Sequence, residues 1–180
     1  MMIKTPLCEL AIKYGSDRTP YTGGHAYTPY YYDLLKNRSP KKILEIGIDT
    51  GRGLRMWKEY FPLAEIFGLD GNRDLLFNED RIKTFFCDLG SLESIQNAAI
   101  QVGGDIDIVF DDGSHIPQHQ VETAKIFIPL LATDGIYIIE DVGFPVPVEA
   151  GLPYDCEVVE FKVNKLSLDD DRLVVIHATV

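Results

Sequence analysis

No stretch of this 180-residue chain approaches the roughly 20 consecutive apolar residues that span a bilayer. The opening MMIKTPLCELAIKYGSD also lacks a basic segment followed by a long apolar run, so a soluble, cytoplasmic protein is expected. Cysteine is sparse. Cys8, Cys87 and Cys156 are odd in number, far apart and without a CxxC pair, which argues against a disulfide framework or a zinc site and leaves packed thiols. Positive charge is also scarce: 17 Lys and Arg face 28 Asp and Glu, for a formal net charge of −11. So acidic a chain neutralises phosphates poorly, and small molecules are expected as partners rather than nucleic acid, although Lys41-Lys42 or Arg52 with Arg55 form local basic patches. No repeat, low-complexity tract or linker divides the sequence. With 46% hydrophobic residues, 1–180 reads as one domain that buries a complete core.

Apolar runs at Ile43–Gly47, Ile66–Asp70, Thr84–Cys87, Ile106–Phe110, Ile136–Glu140, Val158–Val163 and Leu173–Ala178 read as strands. The gaps between the first five are long enough for crossover helices, the pattern of a parallel sheet built from βα units. Ser91–Val102 has helical composition behind a Ser. In Val121–Leu131, the residues Ala124, Phe127, Ile128 and Leu131 recur at helical spacing and belong to the core. Asn164–Arg172, with its Asp169-Asp170-Asp171 turn cluster, is too short for a crossover and predicts an antiparallel hairpin. The expectation is an α/β, Rossmann-like, doubly wound sheet of seven strands, mostly parallel and ending in that hairpin. Residues 1–40 are less regular, with helices expected at Leu7–Tyr14 and Tyr30–Lys36. Between them, Pro20, Gly23, Gly24 and Pro29 punctuate a tyrosine-rich segment that reads as a flap. Its Tyr21, Tyr27, Tyr30, Tyr31 and Tyr32 either stack on a ligand or pack beneath the flap.

Two acidic doublets end apolar runs: Asp111-Asp112 in IDIVFDDGSH and Glu140-Asp141 in IYIIEDV. Four carboxyl groups at one sheet edge need raised pKa values or a cation, and hard oxygen donors on short loops suit magnesium, calcium or manganese. Capping of helices or turns is the competing role for any one of these acids. The first strand runs into ILEIGIDTGRGLRMW, where Glu45 and Gly47 precede Gly51 and Gly53. Glycines at a strand-to-helix turn let backbone approach a nucleotide-type ligand closely. The spacing is not G-x-G-x-x-G, and an acid two residues before the first glycine is the pattern of S-adenosylmethionine sites. Asp70, followed by Gly71, ends the second strand where a carboxylate can accept both ribose hydroxyls. Asp88, followed by Leu89, ends the third where it can receive the adenine amino group.

In this order of motifs the chain resembles a class I S-adenosylmethionine-dependent methyltransferase. More closely, it is similar to the macrocin and mycinamicin type of sugar O-methyltransferase and the cephalosporin-hydroxylase-like group. The residues that carry the resemblance are KYGSD at 13–17, LEIGI at 44–48, LRMWKEYFPLAEIFGLD at 54–70, FDDGSH at 110–115 and the run from FIPLL to YIIED at 127–141. The resemblance implies S-adenosylmethionine and a divalent metal, usually Mg2+, held by Asp112, Glu140 and Asp141. It leaves Asp111 nearer the cofactor or the turn and makes His115 the general base. It also implies that Tyr14 and Ser16, with Asp17, help close over the cofactor, Asp17 serving equally well as a turn residue. The turn Gly51-Arg52-Gly53 departs from the usual Gly-Gly-Ser, so the contact to the methionine carboxylate does not carry over. His119, four residues past His115, is a further candidate to face the site.

These residue types suit methylation of a hydroxyl, a poor nucleophile at neutral pH. A metal that binds the hydroxyl lowers its pKa and aligns it, and a histidine with a near-neutral pKa takes the proton. The expected acceptor is a sugar or a glycosylated small molecule. A catechol-like diol uses the same metal logic, and a non-catalytic cofactor-binding protein of the same fold is the alternative of another class. A homo-oligomer remains open.

Overall fold

A computed structural model of the chain describes residues 3–143, 148–161 and 172–178. Within these, an N-terminal pair of helices, α1 (Pro6–Tyr14) and α2 (Tyr27–Leu35), precedes β1 (Lys42–Ile46), α3 (Arg52–Tyr60) and β2 (Glu65–Asp70). There follow β3 (Asn78–Glu79), β4 (Ile82–Phe86), α4 (Leu92–Val102), β5 (Ile106–Asp111), α5 (Pro117–Phe127), β6 (Leu131–Ile139), β7 (Cys156–Glu160) and β8 (Arg172–His177).

The strands form one eight-stranded sheet in the order β3-β4-β2-β1-β5-β6-β8-β7. β1 lies parallel to β2 and β5, β4 is parallel to β2, and β6 is parallel to β5. β8 runs antiparallel between β6 and β7. The expectation of seven strands falls one short. The extra strand is the two-residue β3, which pairs antiparallel with β4 and is fully exposed, so it carries no apolar run by which a sequence would reveal it. The hairpin expected at the C-terminus is present as the β7–β8 pair, but the Asp169-Asp170-Asp171 turn lies outside the described residues. The chain reverses its direction of progress across the sheet between β1 and β5. In doubly wound sheets that crevice, at the carboxyl ends of the strands, is where ligands bind.

Helix boundaries differ from the sequence expectations by up to four residues, and Leu131, expected on the last helix, opens β6. Ser91 caps α4, its Oγ accepting from Ser94 N. α2 begins three residues earlier than Tyr30 because Pro29 falls in its first turn, where a missing N–H breaks no intrahelical bond. α5 likewise begins four residues before Val121, at Pro117.

Pleat parity divides the core. Leu44, Ile46, Val109, Tyr137 and Ile139 pack on the α4 and α5 side. Ile43, Ile108, Phe110, Ile136 and Ile138 pack on the other, with Leu7, Tyr27, Tyr31 and Trp57 from the first three helices. Because side chains alternate along a strand, the same parity sends Glu45 and Glu140 to the α1–α3 face and Asp111 to the α4–α5 face. The Asp111-Asp112 doublet is therefore split between the two faces, whereas Glu140 and Asp141 both meet side chains of the N-terminal segment, Asp141 leaving the strand at φ +52°.

The segment expected as a flap is packed from His25 onward, while Tyr21, Thr22 and Gly23 are exposed. Tyr27 and Tyr31 are wholly buried, so they do not stack on a ligand at the surface. The loop closes on itself through His25 N to Asp17 O at 2.6 Å, Thr28 N to Arg18 O at 2.9 Å and Gly24 N to Thr19 O at 3.2 Å.

Candidate active site

Two adjoining cavities open at the carboxyl ends of the strands, and both are lined by Gly47, Asp70 and Gly113. Gly47 makes their junction possible. It sits at φ +82°, and a Cβ there would lie 2.0 Å from the carbonyl oxygen of Asp112. No side chain fits between the β1 turn and the loop after β5.

The first cavity, about 280 Å³, runs from the β1 turn across the ends of β2 and β4. Asp70 stands on its wall with Oδ2 accepting from Ile48 N at 3.1 Å and Oδ1 from Asn72 N at 2.8 Å. Two backbone donors fix the carboxylate and leave its remaining lone pairs for a ligand. Gly71, Asp88 and Leu89 continue the wall, and Asp88 Oδ1 accepts from Gly90 N. Cys87 also lines it, and burial pushes its thiol up to about 12, with Asp88 and Asp111 adding to the shift. His119 closes the far side, its Nδ1 2.9 Å from Ser114 Oγ.

The second cavity, about 400 Å³, is acidic. Asp112, His115 and Asp141 each offer one ligand atom there, and these atoms lie within 4.8 Å of one another. His115 and Asp141 both adopt positive φ, +54° and +52°, uncommon for residues with a side chain and costly enough to mark a constrained site. The His115 Nε2 to Asp112 Oδ1 distance is 3.9 Å, and the His115 side chain is 44% exposed, at the mouth of the group. Tyr27 donates to Asp141 Oδ1 at 2.6 Å, and His25 Nδ1 lies 3.6 Å from the same oxygen while its ring stacks on Tyr27.

Beneath this group lies Arg18, 3% exposed. Its guanidinium reaches carboxylates at the ends of β1, β5 and β6: Nη1 donates to Glu45 Oε1 at 3.1 Å, Nη2 to Asp112 Oδ2 at 2.8 Å and Nε to Glu140 Oε2 at 2.7 Å. Tyr31 adds a hydrogen bond to Glu140 Oε1 at 2.9 Å. Gly53, in the first turn of α3, leaves room for the network, since a Cβ there would lie 2.1 Å from Glu45 Oε1 and 2.6 Å from Arg18 Nη1. Burial raises Glu45 to about 7 against the pull of Arg18, and it also raises Asp112 and Glu140, which Arg18 again opposes. Glu45 Oε2 and Trp57 Nε1 are both buried outside the Arg18 network, and the Trp57 indole joins Arg18 in holding the Glu45 carboxyl down.

The residues expected at the site thus divide. Gly47, Asp70, Gly71, Asp88 and Leu89 line the first cavity; Ser16, Glu45, Asp112, His115 and Asp141 line the second. Three others stand apart. Tyr14 points to the outer surface of the helices, donating to Glu59 Oε2 at 2.5 Å, and lines neither cavity. Asp111 lies under the floor, 1% exposed, accepting from Tyr137 at 2.6 Å. Burial pushes its carboxyl up to about 7, opposed by Tyr137 and the Gly113 N–H. Glu140 sits behind the Asp112, His115 and Asp141 group with both oxygens engaged by Arg18 and one by Tyr31 as well. The sequence reading missed Arg18, His25 and the hydroxyl roles of Tyr27 and Tyr31. The available signals were an Arg directly after KYGSD and tyrosines at i and i+4 on a helix that begins at Tyr27.

No model of a known protein family matches the chain. Individual relatives do match. The chain is 34% identical over 146 residues to the 8-demethyl-8-alpha-L-rhamnosyl tetracenomycin-C 2'-O-methyltransferase of Streptomyces olivaceus, covering 76% of this chain and 37% of that protein. It is 33% identical over 148 residues to the mycinamicin VI 2''-O-methyltransferase of Micromonospora griseorubida, covering 77% and 36%. Among solved structures, the MycE methyltransferase of the mycinamycin biosynthetic pathway, in complex with Mg and SAH, superposes with a TM-score of 0.67 at 32% identity, over 78% of this chain and 38% of that one. The chain has the class I S-adenosylmethionine methyltransferase fold and is related to the mycinamicin and macrocin type of sugar O-methyltransferase. It spans little more than a third of the length of the curated relatives it matches. A more distant methyltransferase, SAH-bound PaMTH1 of Podospora anserina, shares the fold over 99% of this chain with a TM-score of 0.62 at 16% identity. The methyltransferase fold thus covers the whole chain, whereas the closer sequence likeness covers about three quarters of it. Among the described residues, no helix is long and apolar enough to cross a membrane.

Proposed function

We propose that this protein moves a methyl group from S-adenosylmethionine to a hydroxyl of a sugar or glycosylated small molecule, with a divalent cation held beside the acceptor. One observation carries the reading. A glycine-walled cavity with a fixed Asp70 carboxylate opens directly into a group of two carboxylates and a histidine, on a chain 32–35% identical to sugar O-methyltransferases. Mycinamicin VI and rhamnosyl tetracenomycin are what those relatives' names give as acceptors, and a glycosylated polyketide is the acceptor class that they suggest.

Both groups fit the residues present. The first cavity offers Asp70 to a ribose and Asp88 to an adenine amino group, between glycines that let the ligand approach backbone. In the second, Glu45 lines the wall as a buried carboxylate, suited to the amino end of the methionine moiety. Asp112 and Asp141 supply the hard oxygen donors that Mg2+ prefers. A cation bound there lowers the pKa of a hydroxyl that it coordinates.

His115 is kept for the proton, because an imidazole is a poor partner for Mg2+ and its ring stands at the open mouth where an acceptor arrives. As the hydroxyl oxygen attacks the methyl carbon, His115 Nε2 accepts the hydroxyl proton, the carbon–sulfur bond breaks and sulfur keeps the electron pair. Asp70 and the β1 turn hold the donor while Asp112 and Asp141 orient the acceptor's oxygen, so the two reactants meet at Gly47 and Gly113. Calorimetry with S-adenosylmethionine, followed by methyl-transfer assays on glycosylated polyketides, nucleotide sugars and catechols with and without Mg2+, tests this reading. Transfer to the glycosides is expected, and transfer to catechols alone would replace the sugar assignment.

A further inference from the structure

A buried arginine with three carboxylates from three strands is more than a cation site requires. Asp112 is shared: its Oδ2 accepts from Arg18, and its Oδ1 faces His115. Glu140 is held on both oxygens by Arg18 Nε, at 2.9 and 2.7 Å. The side chains of Arg18, Glu45 and Glu140 are all less than 5% exposed, so water contributes little to balancing their charges.

We propose that Arg18 is a positioning residue that gathers the carboxylates of β1, β5 and β6 around one guanidinium and so limits how tightly the neighbouring group takes a divalent cation. This rests on the reading of Asp112 and Asp141 as cation ligands. The physical basis is competition for the same negative charge. A guanidinium and a metal ion both gain from Asp112 and Glu140, and each lowers the field that the other experiences. The guanidinium is tethered, its loop pinned by the bonds from His25 N to Asp17 O and Thr28 N to Arg18 O, so its charge is present whether or not an ion is. The cluster is thus assembled before any cation arrives, and the cation meets a site already partly neutralised. A weaker, more readily exchanged metal is the consequence.

The test uses the full chain without cofactor, stripped of metal, with Mg2+ as the only probe. The parent, Arg18→Met and Arg18→Lys are compared by thermal melting and calorimetric titration. Arg18→Met should melt well below the parent in chelator, because two buried carboxylates, Glu45 and Glu140, and the partly exposed Asp112 lose their counter-ion. Mg2+ should then bind it on the order of tenfold more tightly than the parent, as expected when a nearby positive charge is removed, and should raise its melting temperature by a larger increment. Arg18→Lys keeps the charge but not the fork, and should fall between the two. If Arg18→Met does not fold in chelator, recovery of folding on adding Mg2+ supports the proposal, and the Lys variant supplies the affinity comparison.

A merely structural role would lower the melting temperature of Arg18→Met while leaving the Mg2+ affinity and increment as in the parent, and that result overturns the proposal. So does weaker Mg2+ binding in the variants. Absence of any Mg2+ effect on the parent overturns the cation site itself, whereas failure of S-adenosylmethionine to bind in a separate titration strikes only the methyltransferase reading.

Discussion

The two cavities that meet at Gly47 are built by different rules. The first is made by strand ends and the turns that follow them: Asp70 and Gly71 stand at the end of β2, Asp88 and Leu89 just past β4, and the Asp70 and Asp88 carboxylates each accept from a backbone N–H in their own turn, Asp70 also from Ile48 in the β1 turn. The second draws Asp112 and Asp141 from loops after β5 and β6, but a buried arginine lies at its base, and buried tyrosines from the first 31 residues hold Asp141 and Glu140 from behind, over 100 positions away in sequence. A cavity made locally needs only a correct sheet. A cavity made by remote contact also needs the N-terminal helices docked, and its electrostatics depend on them.

Independent substitutions should separate the two. His115→Ala, in the second cavity, is expected to lower turnover by about 10²–10⁴-fold, the range for a general base, with S-adenosylmethionine affinity nearly unchanged. Steady-state kinetics beside calorimetry checks this, and equal losses in both would mean that the cavities are not functionally distinct. Asp88→Ala, in the first alone, should weaken S-adenosylmethionine by roughly 10–100-fold through loss of a charge-assisted contact, with Mg2+ binding left as in the parent. A shift in Mg2+ affinity with Asp88→Ala would show that the first cavity reaches the cation after all.

The same division explains what could be read from the sequence. The βα alternation, the Ser91 cap, the core positions of α5 and the acid at each strand end follow from periodicity and turn chemistry, which are local. Asp70 and Asp88 were legible for that reason. The partition of the four acids was not. Asp111 faces Tyr137 and Glu140 faces Arg18 because of pleat parity, which requires the exact register of β5 against β6 and knowledge of which helices cover each face. Arg18 was invisible on similar grounds, since one cation in a Gly- and Pro-rich stretch carries no sign of the three strands it will reach. The eighth strand escaped because two exposed polar residues have no pattern. The tyrosine-rich segment looked like a flap for want of apolar periodicity, yet Tyr27 and Tyr31 bury their rings and place their hydroxyls on Asp141 and Glu140.

A smaller effect tests whether the remote contacts are specific. Tyr31→Phe removes one donor from Glu140 while keeping the ring packed against the stacked rings of Trp57 and Phe110, so it should cost about 1–2 kcal/mol in stability. Denaturant melts in chelator measure it. No change would mean that Arg18 alone satisfies Glu140, and the N-terminal helix would then matter to the second cavity only through Arg18 and Tyr27.

The smallest effect comes from Asp111, on the opposite face. Asn in its place still accepts from Tyr137, so Asp111→Asn should cost no more than about 1 kcal/mol at pH 5. Its signature is in the pH profile. Burial holds the folded carboxyl at about 7, above the unfolded value near 3.9, so the folded state binds this proton more tightly. The stability it contributes is complete below about pH 4 and is lost as pH rises towards 7, where a buried carboxylate must ionise. Glu45, also pushed up to about 7, adds a loss of the same sign. The metal-free parent should therefore lose stability between pH 5 and 7.5, and Asp111→Asn should lose less, so that the two melting curves cross or converge with rising pH. Parallel curves would show that Asp111 is ionised across the range. The acid on the α4–α5 face would then be a charge balanced by Tyr137, and the two faces of the strand-end edge would differ only in which side chains supply the balance.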